Sequence, residues 1–225
     1  MGGNLMSEQV TAHQAETDPR GHARSLLTFI PLALIPMIGV GFWFFRQAEH
    51  DAVQSGGGLQ PLPVLSELPA FSLTERSGQT ITKDSLDNQV WIADFIFTYC
   101  AGPCPRMTAG MVELQKRLSD VSSARLVTFT VDPDRDTPEV LSKYADEHGA
   151  DKHRWLFLTG AREAIESLAV NGFKMGSVEN PMNHSTRFVL VDGEGRVRGY
   201  YDLDEPDGLS KLENDVRTLV SRSQD

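Results

Sequence analysis

The chain has 225 residues, 40% of them hydrophobic and 23% charged, with 31 acidic against 21 basic side chains. Ordinary apolar content excludes a disordered chain, and a net charge of -10 argues against nucleic acid as the main partner, because phosphate binding needs clustered Lys and Arg. Only two cysteines are present, Cys100 and Cys104, too few for a disulfide-dense scaffold or a four-cysteine zinc site, so at this spacing they read as one site.

Residues 1–25 are polar, carry both signs of charge and show no hydrophobic period, as a solvated tail does. From Leu26 to Phe45 the run LLTFIPLALIPMIGVGFWFF holds no charge. Its 20 residues, at about 1.5 Å rise each, match a hydrocarbon core of about 30 Å and predict a membrane-spanning helix. Pro31, Pro36, Gly39 and Gly41 are tolerated in such helices, and Trp43 with Phe42, Phe44 and Phe45 supplies an interfacial aromatic cluster. The sequence RQAEHD that follows is no small-x-small cleavage site, and no cysteine lies near it to carry a lipid, so an uncleaved anchor is expected.

Arg20 and Arg24 precede the span, whereas Arg46 is followed by Glu49 and Asp51, so the positive-inside rule puts the N-terminal tail in the cytoplasm. Residues 1–46 hold three basic and three acidic groups, so the whole net charge belongs to the chain beyond them. Residues 46–63, with SGGGLQPLP, read as a flexible tether that stiffens toward its end. Residues 64–225 remain, enough for one folded domain.

In that domain FSLTERSGQTIT predicts a hairpin around a Ser-Gly turn. VWIADFIF, 90–97, is an apolar run of strand length, as in a strand covered on both faces. Met107, Met111, Leu114 and Leu118 then recur at helical spacing, and RLVTFTV, 125–131, is a second buried strand, so a parallel crossover is expected. Thr137 and Pro138 mark a helix start. WLFL at 155–158 is a short strand, followed by a helix over about 161–170. STRFVLVDGEGRVRGYYD reads as two strands around a turn, and GLSKLENDVRTLV as a closing amphipathic helix. A βαβ half followed by a β-hairpin and a helix is a thioredoxin-like α/β arrangement.

TYCAGPCPRMT puts Cys100 after a buried strand and Cys104 at the start of a helix, where partial positive charge and free N–H groups favour thiolate. Both sulfurs are therefore expected to be available, close enough to share a disulfide or a metal ion. Two soft sulfurs suit copper(I), whereas zinc normally takes four ligands. A third ligand must come from elsewhere. His184 in NPMNHSTRF is the best candidate, with the Met182 thioether weaker. The rival readings are a structural disulfide, which closes too short a loop to stabilise much, and two core thiols, which Gly102, Pro103 and Pro105 argue against. In DPDRD, Asp132, Asp134 and Asp136 resemble a calcium loop, but Thr137 stands at its sixth position and Lys143 at its twelfth, so a turn with a helix cap is expected, with an acidic docking surface as an alternative.

TYCAGPCP after an apolar strand, VDPDRDTPEVL about thirty residues later and HSTRFVLVDGEGRVRGYYD near the end together resemble the SCO/SenC family of membrane-anchored copper proteins. The resemblance covers roughly residues 64–222. It implies a thioredoxin-like domain binding a copper ion through Cys100, Cys104 and His184, and a role in assembling the dinuclear copper centre of cytochrome c oxidase subunit II, by copper delivery or by reduction of that subunit's cysteines. The residues Ala101, Gly102 and Pro103 depart from the family, where an acidic residue is frequent. Two functions compete: a copper chaperone acting on that subunit or another copper or thiol protein, and a thiol-disulfide oxidoreductase using Cys100 and Cys104 as its redox pair. An N-terminal tail that is not Arg-rich predicts a bacterial inner-membrane protein with its domain in the periplasm.

Overall fold

In the computed structural model, residues 61–175 and 186–223 are described. The predicted membrane span at 26–45 lies outside them, as do His184 and Met182. Among the described residues no helix is long and apolar enough to cross a membrane.

The elements in chain order are β1 (Ser66–Glu67), β2 (Ser72–Glu75), β3 (Thr80–Thr82), a 3-10 turn (Lys83–Leu86), β4 (Val90–Ile96), α1 (Cys104–Arg117), β5 (Ala124–Thr130), α2 (Pro138–Glu147), β6 (Trp155–Thr159), α3 (Arg162–Ser167), β7 (Arg187–Val191), β8 (Arg196–Asp202) and α4 (Gly208–Arg222). Eight strands form one sheet in the order β1-β8-β7-β4-β5-β6-β2-β3. β4, β5 and β6 run parallel, and the other neighbours pair antiparallel. The apolar runs become the central strands because both their faces are covered.

Alternation along β4 sorts its side chains. Val90, Ile92 and Ile96 join Met107, Met111, Leu114 and Leu118 of α1, Trp155 and Phe157 of β6, and Leu212 and Val216 of α4 in one buried layer. Trp91 and Ala93 join Val127, Phe129, Val189 and Phe173 in the other. There Phe129 stacks on Phe95 with centroids 5.0 Å apart and meets Phe173 edge-on at 5.4 Å. Each fully buried large apolar side chain contributes about 1.5–3 kcal/mol. A Cβ on Gly110 would stand 2.8 Å from Phe188, so glycine lets α1 close on β7.

The predicted hairpin is β2–β3, turning through Gly78 at φ +85, and it lengthens the sheet by pairing with β6. Thr137 caps α2 by accepting from the Val140 N–H, with Pro138 in the first turn. Two features differ from expectation. β1 forms because its backbone pairs with β8, a partner its own composition does not announce. The helix expected over 161–170 ends as α3 at Ser167 and continues through a π-helical turn, Leu168–Gly172, where the Phe173 N–H reaches back five residues to the Leu168 carbonyl at 2.9 Å.

Candidate metal and thiol site

β4 ends at Ile96, and seven residues carry the chain from it to α1. The Cys100 N–H bonds the Phe97 carbonyl at 3.2 Å, a tight turn that brings Cys100 back toward the helix start. Cys100 is partly exposed, whereas Cys104, the first residue of α1, is 4% exposed and packs into the core beside Met107. Both are free thiols.

That burial corrects the expectation that both sulfurs are available. Burial is the largest influence on each thiol and opposes its ionisation. At Cys100 it is outweighed by hydrogen bonds from the Cys104 thiol, the Cys104 N–H and the Gly102 N–H, the last at 3.3 Å, which hold the thiol below its ordinary value. At Cys104 burial, the hydrogen bond to Cys100 and the negative charges of Cys100 and Asp94 push the thiol up to about 12. Desolvation defeats the helix N-terminus here. The pair is thus split into an outer, ionisable sulfur and an inner, protonated one.

Under the inner sulfur lies a polar network unforeseen in the sequence. Asp94 occupies a position of β4 between Ile92 and Ile96 in register and is fully buried. Its Oδ1 accepts from the Thr128 hydroxyl at 2.6 Å, and Trp155 Nε1 donates to that hydroxyl at 2.8 Å, while Oδ2 is buried with no partner. Burial pushes the carboxyl up to about 7 despite the Thr128 hydrogen bond. Nearby, the Thr108 hydroxyl donates to the Cys104 carbonyl at 3.1 Å and pairs with the Tyr144 hydroxyl at 2.7 Å. A charged residue inside the apolar run VWIADFIF was the available signal for Asp94.

The DPDRD segment forms the adjacent wall. Arg162 pairs with Asp134 at 2.7 Å and Asp132 at 3.6 Å, and Arg135 pairs with Asp132 at 2.7 Å. Asp136 turns inward and is 1% exposed. Its carboxylate accepts from the Thr98 N–H at 3.1 Å and from the hydroxyls of Thr98 and Thr130, each at 2.5 Å. The three aspartates therefore serve arginines and the loop before Cys100, so the alternative of an open acidic docking surface loses most of its charge.

His184 and Met182 lie outside the described residues, and among the described residues no three His, Cys, Asp or Glu side chains converge as a metal site. Thr186, two positions after His184, is held by its hydroxyl to Asp202 at 2.9 Å and by its carbonyl to the Leu203 N–H at 2.9 Å. Because β7 runs antiparallel to β4, with Val191 opposite Trp91, it starts at the end of the sheet where β4 finishes.

A family model described as SCO1/SenC matches residues 63–221. The chain belongs to the SCO1/SenC family. Among curated relatives, the SCO1 protein homolog of Bacillus subtilis is 35% identical over 162 residues, covering 69% of this chain and 84% of the relative. The mitochondrial protein SCO2 of Saccharomyces cerevisiae is 28% identical over 172 residues, covering 68% of this chain and 54% of the yeast protein. Of solved structures, BsSco, described as a member of the Sco family of cytochrome c oxidase assembly proteins with a disulfide switch, aligns with a TM-score of 0.63 at 34% identity, covering 71% of this chain and 96% of BsSco. Yeast Sco1 with copper bound aligns with a TM-score of 0.56 at 27% identity, covering 72% of this chain and 99% of the yeast domain. The fold of this SCO1/SenC chain is accordingly the mixed α/β, thioredoxin-like Sco fold.

Proposed function

We propose that this SCO1/SenC protein binds copper and serves the assembly of cytochrome c oxidase, carrying copper(I) to the dinuclear centre of subunit II. The observation that carries the reading is a pair of free, adjacent thiols at a strand-to-helix turn, one exposed enough to exchange a metal and one fixed in the core. That donor set fits a soft, low-coordinate ion. The third donor in this reading is His184, three residues before β7, a strand that starts at the end of the sheet where β4 finishes. Binding releases two protons as both thiols become thiolates, and the imidazole binds in its neutral form. Copper-bound yeast Sco1, and the place of BsSco among the cytochrome c oxidase assembly proteins, support this assignment.

Residues 26–45 anchor the protein in a bacterial inner membrane, with residues 46–63 as tether and the domain from residue 64 in the periplasm, where a reductant must keep the thiols reduced before loading. The test is a copper(I) titration of the reduced full-length protein against a competing chelator. His184→Ala is expected to weaken binding by about 10-fold or more and to leave two-sulfur coordination by X-ray absorption. Unchanged affinity and coordination would remove the three-donor model.

A second reading follows from the unequal burial of the thiols. The outer Cys100 thiolate attacks a disulfide of the partner, forming a mixed disulfide and releasing one partner thiolate. Cys104 then loses its proton and attacks Cys100, forming the internal disulfide and releasing the second partner thiolate, so two electrons pass to the partner. Metal-free reduction of a partner disulfide, insensitive to His184→Ala, would favour this role over delivery.

A further inference from the structure

The chain between β4 and α1 places its two thiols differently, one in the first turn of a helix and the other in irregular backbone. Cys104 is fixed by α1, but Cys100 lies four residues beyond the last residue of β4, and the sheet ladder stops just past that point with the Val131 N–H on the Ile96 carbonyl at 2.8 Å. Asp136 takes over there. Its buried carboxylate receives both the N–H and the hydroxyl of Thr98, two residues before Cys100, together with the Thr130 hydroxyl at the end of β5. Thr130 Oγ1 in turn accepts from the Asp132 N–H at 3.0 Å.

The carboxylate is itself held. A turn closes on the Asp132 carbonyl, which accepts from the Arg135 and Asp136 N–H groups at 3.1 and 2.9 Å, and Thr137 and Pro138 start α2 directly afterwards. A buried carboxylate is costly unless both its oxygens are hydrogen-bonded, and here one donor reaches Oδ1 and two reach Oδ2. No arginine or lysine is needed for it. The hydrogen bonds all run to the two strand exits that flank the thiol loop.

We infer that Asp136 is a positioning residue for the dithiol: by clamping Thr98 to the root of α2 it fixes where Cys100 stands relative to Cys104. It touches neither sulfur, and it acts through the backbone of residues 98–100. The inference rests on the proposed reading of Cys100 and Cys104 as the working pair, but it makes a claim of its own about what sets their geometry. In the wild type, the entropy of ordering the outer thiol is met during folding; without the clamp it is charged to each binding or oxidation event.

The experiment compares the full-length wild type with Asp136→Ala, Asp136→Asn, Thr98→Val and, as a destabilised control at the other end of the sheet, Val197→Ala, a fully buried position on β8. Two quantities are read: copper(I) affinity by chelator competition, and the equilibrium protein dithiol + oxidised glutathione ⇌ protein disulfide + two reduced glutathione, measured without metal. Asp136→Ala is expected to lower the affinity and the glutathione equilibrium constant each by about 10-fold. Asp136→Asn is expected to restore both to within about threefold, because its amide oxygen accepts from the Thr98 N–H and the Thr130 hydroxyl while its NH2 donates to Thr98 Oγ1. Val197→Ala is expected to lower the unfolding midpoint and leave both quantities at wild-type values.

Wild-type values for Asp136→Ala in both measurements would overturn the inference, as would equal changes in Asp136→Ala and Val197→Ala. If Asp136→Ala does not fold, Thr98→Val decides: a loss of about threefold in both quantities supports the clamp, and no change sinks it. A wild type that takes up no copper(I) would end the copper reading, while the glutathione comparison would still decide the role of Asp136.

Discussion

The two ends of the central sheet treat buried charge differently. At the end remote from the cysteines, Asp192 is 4% exposed, and its oxygens accept from the Glu194 and Arg196 N–H groups at 3.1 and 2.9 Å, from Arg196 Nε at 2.9 Å and from Arg198 Nη1 at 2.6 Å. Burial raises its carboxyl pKa, but the Arg196 N–H and the two guanidiniums prevail and hold it below the usual carboxylate range. Arg198 also donates to the Leu62 and Pro63 carbonyls, tying the incoming chain to β8. At the cysteine end, Asp94 has one hydroxyl donor and a bare oxygen, and two free thiols sit above it. The saturated end is built for stability. Beside the hydrogen-bonded Asp136, the other end keeps groups whose proton or ligand state can change, and that is where a metal or a partner's disulfide has something to act on.

Breaking the saturated end gives the largest expected effect on folding. Asp192→Ala leaves Arg198, only 9% exposed, without its anion, and is expected to cost about 3–5 kcal/mol in denaturant unfolding while copper(I) affinity stays unchanged. A matching loss of affinity would mean that the two ends are coupled.

Asp94→Asn sharpens the contrast in the opposite direction. The folded carboxyl titrates at about 7, above its ordinary 3.8, so between those values the folded state holds a proton that the unfolded state has lost. Stability from this group is therefore complete below about pH 4 and falls as pH rises to about 7. Asparagine removes the charge, so the variant is expected to gain about 2–4 kcal/mol on wild type between pH 4 and pH 8, read from urea midpoints across that range. A wild-type pH profile in the variant would show that Asp94 is not the group responsible.

The smallest expected effect separates the two thiols. With Cys100 below its ordinary value and Cys104 at about 12, iodoacetamide at pH 8 is expected to modify Cys100 at least about 30-fold faster, even after allowing for the higher intrinsic reactivity of the more basic thiolate. Peptide mapping after brief exposure measures it. Equal rates would contradict the outer and inner assignment.

Much of the fold was legible because its signals are local. Continuous apolar runs announced β4, β5 and β6, the Thr137-Pro138 pair announced α2, and the methionine and leucine spacing announced α1. The site was legible only as far as Cys100 and Cys104, where two residues of one type stand four positions apart on a strand-to-helix turn. Which sulfur faces water was not legible, since burial depends on Met107 and the core around it. Nor could DPDRDTPE reveal that its third aspartate turns inward while the first two meet arginines, because the partners Thr98 and Arg162 are 38 and 28 residues away in the chain.

By itself the sequence determined the order of elements, the paired thiols and the confinement of all net charge to the chain beyond residue 46, because composition and periodicity are properties of neighbouring residues. Tertiary structure alone decided the inequality of the two thiols, the bare oxygen of Asp94 and the clamp of Asp136 on Thr98. Each of these depends on what is excluded from water and which distant donor fills a given lone pair, and those are settled only when the strands meet in the sheet.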